Sequence, residues 1–297
     1  MKRFFALSRT THGILDLATH GFCALLWLGH FPQWQTILFS LLTAFAAYTA
    51  MYALNDLVGI TVDREKFAGG INAGYSVEAS EMRYPLAQNI LGYREALLWF
   101  AVWFALALVG SYLLNPVIDI ILVIAAILEV VYCLLLKVTY LRTLVSGLVK
   151  SSGPIAAVFV VDRNPSPYLL LPILAWVFFW EIGGQNVPAD WNDTVEDMRV
   201  DAKTIPVQFG GKKAGLIVII SLALTVITSL FLPLVSPAKL GMLYLLASAA
   251  AGAILLLLPA YRLYLRQEGR QAAALFDKAS YYPLAQLAII SLFVIFK

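Results

Sequence analysis

Asn55-Asp56-Leu57-Val58-Gly59-Ile60-Thr61-Val62-Asp63 closes an apolar run over 34–54, and Asp193-Thr194-Val195-Glu196-Asp197-Met198-Arg199-Val200-Asp201 follows another over 166–185. Around these two acidic stretches the 297-residue chain is 61% hydrophobic and 13% charged, with a mean hydropathy of +0.80. That composition excludes an ordinary soluble domain. A membrane-crossing helix needs about 20 mainly apolar residues. Nine segments meet that description, near 13–30, 34–54, 93–114, 116–136, 142–162, 166–185, 212–234, 238–259 and 280–296. The expected fold is all-α: a polytopic membrane protein, a nine-transmembrane-helix bundle forming one domain over 1–297. Its cytoplasmic side carries the acidic loops after helices 2 and 6, 38 and 26 residues long.

Lys and Arg in short loops stay cytoplasmic, and their distribution sets the orientation. Seventeen of the twenty-one fall at the N-terminus or after helices 2, 4, 6 and 8, leaving Arg163, Lys239 and Lys297 opposite and Lys150 inside a span. An odd number of helices then places the N-terminus in the cytoplasm and the C-terminus outside. The same spread accounts for the net charge of +3 without a nucleic acid partner. Cys23 and Cys133 lie in different spans, which provides neither a disulfide framework nor a thiolate metal site. The apolar stretch after Met1-Lys2-Arg3 is broken by Arg9, His12, Asp16 and His20, so no cleavable signal peptide is expected. Nor does any organelle-targeting segment stand out, and a bacterial cytoplasmic membrane is the expected location.

The acidic stretches carry the chemistry. Asp193, Asp197 and Asp201 are spaced i, i+4, i+8, which on a helix stacks three carboxylates along one face. Like charges at that spacing repel unless a cation neutralises them. Oxygen ligands together with phosphate oxygens suit Mg2+. Asn55 and Asp63 are eight apart, with Asp56 beside them, and form a second candidate ligand set. Two such sets on one membrane face fit a metal-bridged diphosphate better than two solvated helix ends.

Ionisable groups inside apolar spans are the other signal, because charge in hydrocarbon is costly and faces the bundle interior. Lys150, Glu129 and Glu181 belong to this class, and an ion pair of Lys150 with Glu129 or Glu181 is the structural expectation. His12, Asp16 and His20 recur at i, i+4, i+8 in the first span. Three groups in line on one helix make a poor tetrahedral metal site. They are read instead either as hydrogen-bonding between helices or as lining a polar cavity that orients an acceptor or accepts a proton, together with Lys150 and Glu181.

In these residues the chain resembles the UbiA-type intramembrane prenyltransferases, whose members look like nine-helix bundles with Asn-Asp-x-x-Asp-x-x-x-Asp after helix 2 and Asp-x-x-x-Asp after helix 6. Asn55, Asp56 and Asp63 match the first motif; Asp193 and Asp197 match the second. Lys203-Thr204-Ile205-Pro206-Val207-Gln208-Phe209-Gly210 looks like the stretch leading into helix 7, and Arg83-Tyr84-Pro85-Leu86-Ala87 is similar to the Arg-Pro-Leu-Ala segment with one residue inserted. There are three departures. Gly59 stands where the first motif has its middle Asp, and Asp201 stands where a Gly is usual. Tyr132 and Lys137 are five apart, where the family's Tyr-x-x-x-Lys pair is four apart.

The resemblance implies a Mg2+-dependent transfer of an isoprenyl group from an allylic isoprenyl diphosphate to a small aromatic or other lipid-soluble acceptor within membrane lipid, as in quinone biosynthesis. Ionisation of the diphosphate would generate a carbocation that the acceptor captures. In that scheme Asn55, Asp56, Asp63, Asp193, Asp197 and Asp201 are the expected metal set. Arg83, Tyr132, Lys137, Arg142 and Lys203 are expected at the diphosphate, and Asp63, Asp197 and Lys137 carry the catalytic expectation. Two alternatives use the same residues: a transporter with a carboxylate ion-coupling site, and a weakened family member that binds prenyl diphosphates.

Overall fold

The computed structural model describes residues 1–66, 68 and 84–296. A short helix α1 (Lys2–Leu7) leads into α2 (Thr10–Leu28), which ends on Gly29 with a left-handed φ of 68°. Helix α3 (Trp34–Lys66) runs for 33 residues without a break. At 1.5 Å per residue it is about 50 Å long, against a hydrocarbon layer of about 30 Å. Its last turns therefore project past the apolar layer. The first acidic motif thus rides on the continuation of a helix and not in the expected loop.

Helices α4 (Tyr93–Leu114) and α5 (Pro116–Leu134) form a hairpin whose turn is sequence-encoded. Asn115 accepts from the Val117 backbone N–H at 3.0 Å, and Pro116 occupies the first helical position, where its missing N–H costs nothing. A 3₁₀ turn over Leu135–Lys137 connects to α6 (Arg142–Val161). The next span is composite: α7 (Pro167–Trp180), a π-helical segment Glu181–Asn186, and α8 (Val187–Asn192). After α9 (Thr194–Arg199) come α10 (Ile205–Phe231), α11 (Met242–Gly252), a second π-helical segment Ala253–Leu257, α12 (Leu258–Arg266) and α13 (Gly269–Ile295).

Among the described residues, eight helices or helix pairs are long and apolar enough to cross a membrane. The first expected span, helix α2, is not one of them, because His12, Asp16 and His20 interrupt its apolar surface. Three boundaries also move. Sequence reading starts helices at 212, 238 and 280, whereas the corresponding spans begin at Ile205, Met242 and Gly269. Only the last of these is a helix carried through charged residues, Arg270, Asp277 and Lys278; α10 is kinked at Gly210 (φ 72°, ψ 168°) just before 212, and α11 starts past the turn residues Ser236-Pro237 and Lys239.

The glycine doublet Gly183-Gly184 sets the composite span between two neighbours. A Cβ on Gly183 would lie 2.8 Å from Leu222 Cγ and 3.0 Å from the Val218 carbonyl of α10, and one on Gly184 would lie 2.9 Å from Ala279 Cβ of α13. Gly183→Ala is therefore expected to destabilise by about 1–3 kcal/mol through overpacking, although Gly→Ala in an open helix stabilises. A rise in the thermal midpoint of the detergent-solubilised variant would contradict this packing. Trp176, Trp180, Tyr244 and Tyr282 fill the core near this junction. Leu98, Val109, Ile120, Ile127 and Leu246 point outward to lipid.

Candidate active site

The ends of α3, α8 and α9 meet at one end of the bundle. Lys66 Nζ lies 2.6 Å from Asp197 Oδ1, both side chains being less than 10% exposed. Arg199 donates to the Lys66 carbonyl at 3.2 Å. The two acidic stretches, 130 residues apart, are thus joined by a buried ion pair that no hydropathy argument singles out. Asp56, Asp63, Asp193 and Asp197 are all buried. Asp56 receives Arg9 at 3.4 Å. Asp63 folds back along its helix, so that a Cβ on Gly59 would meet its Oδ2 at 2.9 Å.

The expected stack of Asp193, Asp197 and Asp201 does not form. The helix breaks at Asp193 (φ −99°, ψ 13°), restarts at Thr194 and ends at Arg199. Asp201 lies beyond that end, exposed and with φ at 55°. In its place Asp190, the last buried carboxylate of α8, extends the row in the other direction. Arg142 binds it at 3.1 and 3.4 Å and stacks over the Tyr132 ring at 4.0 Å. Asn186 donates to Tyr132 Oη at 2.8 Å.

The other diphosphate candidates are dispersed. Lys137 is exposed and pairs with Glu65 at 2.6 Å, on the flank of the mouth. Tyr132 lines the interior cavity, so the five-residue spacing leaves these two apart. Lys203 is half-buried, its backbone N–H bound to the Leu136 carbonyl at 2.7 Å. Arg83 falls outside the described residues.

Among the described residues no three His, Cys, Asp or Glu converge closely enough to hold a metal by themselves. The donor chemistry nevertheless fits a hard cation. Asp197 Oδ2 is buried with no hydrogen-bond partner among the described residues. Burial pushes the Asp197 carboxyl above its ordinary value, with Lys66 opposing and Asp193 adding to the shift. Crowded carboxylates with an unsatisfied oxygen form a site that one more cation would stabilise.

Below the mouth lies a cavity of about 740 Å³. Arg9, Asn55, Glu129, Tyr132 and Asn186 line it near the acidic end, and Leu41, Leu114 and Val161 line its apolar part. Between them lie the residues read from the sequence as an acceptor cavity: His12, His20, Lys150 and Glu181 line the cavity, and Asp16 binds Lys150 Nζ at 2.6 Å. Lys150 thus pairs chiefly with Asp16, and more distantly with Glu181 at 3.9 Å. Glu129 instead accepts from Asn55 Nδ2 at 2.5 Å.

The site is thus an acidic mouth and a cavity with polar near walls and apolar far walls, set in an all-helical membrane bundle. The chain belongs to the UbiA prenyltransferase family, whose profile matches residues 17–284. Among solved structures it is similar to a UbiA homolog from Aeropyrum pernix K1 in its apo form, with a TM-score of 0.73 and 20% identity over 96% of this chain and 98% of that one. A UbiA homolog from Archaeoglobus fulgidus bound to GPP and Mg2+ is similar with a TM-score of 0.68 and 17% identity, over 97% and 99% of the two chains. Digeranylgeranylglyceryl phosphate synthase gives a TM-score of 0.63 and 19% identity over 100% and 99%. No curated protein matches the chain.

Proposed function

We propose that the chain transfers an isoprenyl group from an allylic isoprenyl diphosphate to an aromatic, lipid-soluble acceptor, with Mg2+ as cofactor. The observation that carries this reading is the buried Lys66–Asp197 contact that ties the end of the helix bearing the first acidic stretch to the second, with Asn55 of the first stretch also lining a cavity whose far walls are apolar. The Archaeoglobus homolog bound to GPP and Mg2+ supports the donor class. In this reading α2 completes a nine-span bundle formed by residues 1–297 as one domain, with the N-terminus and the mouth on the cytoplasmic side of a bacterial membrane.

Asn55, Asp56, Asp63, Asp193 and Asp197 are the proposed metal ligands. Bound there, Mg2+ supplies charge neutralisation for the departing diphosphate. The rest of the work falls to the chain. Arg142 and Lys203 provide positive charge toward the diphosphate, Lys137 guards the rim, and Arg83 is a further proposed diphosphate contact. Tyr132, fixed by Asn186 and Arg142, orients the head group. The apolar walls exclude water from the carbocation, and the ring faces of Tyr48 and Tyr52 stabilise its charge.

Gly59→Asp adds a carboxylate beside Asp63, where the three nearest atoms belong to the movable end of that side chain. It is expected to tighten apparent Mg2+ affinity by about tenfold, roughly 1.4 kcal/mol. A metal titration of turnover checks this. Unchanged affinity would mean that the existing ligands already saturate the site. The activity itself is tested by incubating the purified protein with labelled geranyl, farnesyl or geranylgeranyl diphosphate and a set of aromatic acceptors. A prenylated, solvent-extractable product from allylic donors supports the reading, and none from any donor contradicts it.

A further inference from the structure

Between the polar end of the cavity and its apolar part, Lys150 and Glu181 line the wall and form with Asp16 a charged belt. Lys150 Nζ is committed to Asp16 Oδ2 at 2.6 Å, with Tyr52 Oη at 3.3 Å. Tyr52 also donates to Asp16 Oδ2 at 2.8 Å, and His12 Nε2 stands 3.7 Å from the same oxygen. Asp16 is therefore well satisfied. Glu181 is not. Its Oε1 accepts from Ser146 at 2.7 Å, but Oε2 is buried with no hydrogen-bond partner among the described residues. Lys150 Nζ, at 3.9 Å, is too far from it to donate. The residue is 7% exposed and lines the cavity.

A buried orphan carboxylate oxygen on a cavity-lining residue has a large unmet demand for a donor. The π-helical segment that begins at Glu181 places it there, and such bulges inside helices are frequent at functional sites. Charge selects the kind of donor. Two carboxylates, Asp16 and Glu181, already share Lys150, with His12 and His20 as the neighbouring groups able to become cationic. Another anion would be repelled, whereas a neutral O–H would gain a charge-assisted bond in a medium of low dielectric. Around the belt the rings of Tyr48, Tyr52 and Trp180 stand 5.8 to 5.9 Å from Lys150 Nζ, and flat surfaces of this kind suit a ring.

We propose that this belt is the acceptor subsite and that it selects a neutral, hydroxyl-bearing ring, a phenol or hydroquinone whose O–H is donated to Glu181 Oε2, over a carboxylate or phosphate anion. The proposal rests on the prenyltransferase reading and deepens it. The shared negative charge makes Glu181 the specificity-determining residue, while Asp16 and Lys150 position it.

The test is calorimetric binding to the full chain in detergent, without turnover. The ligands are hydroquinone with a short alkyl tail, its dimethyl ether, and the benzoate of matching size. The expected order is hydroquinone tightest, with the ether and the benzoate each weaker by about tenfold, the worth of one charge-assisted hydrogen bond. Glu181→Gln should weaken the hydroquinone by a similar factor and narrow its advantage over benzoate. Benzoate binding as tightly as hydroquinone, or a Glu181→Gln protein that binds hydroquinone unchanged, would overturn the proposal. Should that variant fail to fold, the three-ligand comparison on the unaltered protein decides alone. A parallel titration with geranyl diphosphate and Mg2+ separates the two readings: donor binding without hydroquinone preference sinks the subsite alone, and absence of donor binding sinks the prenyltransferase reading.

Discussion

Asp197→Asn should reduce diphosphate release by about three orders of magnitude, because a loss of several kcal/mol of charge stabilisation corresponds to roughly 1.4 kcal/mol per tenfold. The same change should also destabilise the protein, by a separable mechanism. Lys66 is buried and its ammonium faces Asp197 at 2.6 Å, so an amide leaves an uncompensated buried charge costing about 3–5 kcal/mol. Pairing Asp197→Asn with Lys66→Met removes both charges. The double variant should recover most of the thermal stability and none of the turnover. Such a cycle isolates the pair from its function. Full activity in Asp197→Asn would show that the second acidic stretch is structural only.

The second large effect concerns Arg142. Its guanidinium is buried against Asp190 at 3.1 Å and over the Tyr132 ring at 4.0 Å. Arg142→Met strands Asp190 inside the bundle and gives up a desolvated cation–π contact, so a loss of about 3–5 kcal/mol is expected. Arg142→Met with Asp190→Asn should restore the thermal midpoint. If Arg142 also provides charge toward the diphosphate, the apparent KM of that double variant for the donor stays high while its stability returns. A return of both would assign Arg142 to Asp190 alone.

How far the sequence revealed these features depended on contrast with its surroundings. Asp16, Lys150 and Glu181 stand out because each interrupts an apolar span, and the structure brings them into one charge cluster at the cavity that Lys150 and Glu181 line. Asn55, Asp56 and Asp63 were conspicuous for the same reason. Lys66 was not. Three residues past Asp63, beside Arg64 and Glu65, it reads as one more topology-setting cation until α3 carries it inward to Asp197. Asp190 was hidden because the apolar run fades after 185, although the helix continues through a π turn to Asn192. Conversely, Asp201 fitted a regular i, i+4, i+8 pattern that assumed an unbroken helix. The break at Asp193 and the left-handed φ at Asp201 remove that assumption.

The central claim is that the two acidic stretches serve one Mg2+-dependent ionisation of an allylic diphosphate. The most direct measurement is inorganic diphosphate released by the purified protein from geranyl, farnesyl and geranylgeranyl diphosphates, each with Mg2+ and with a chelator, in the presence of hydroquinone acceptors. Release from at least one donor that disappears with the chelator is the predicted result. Failure to bind or turn over any of them would contradict the account and favour a membrane transporter that uses the same carboxylates to couple an ion.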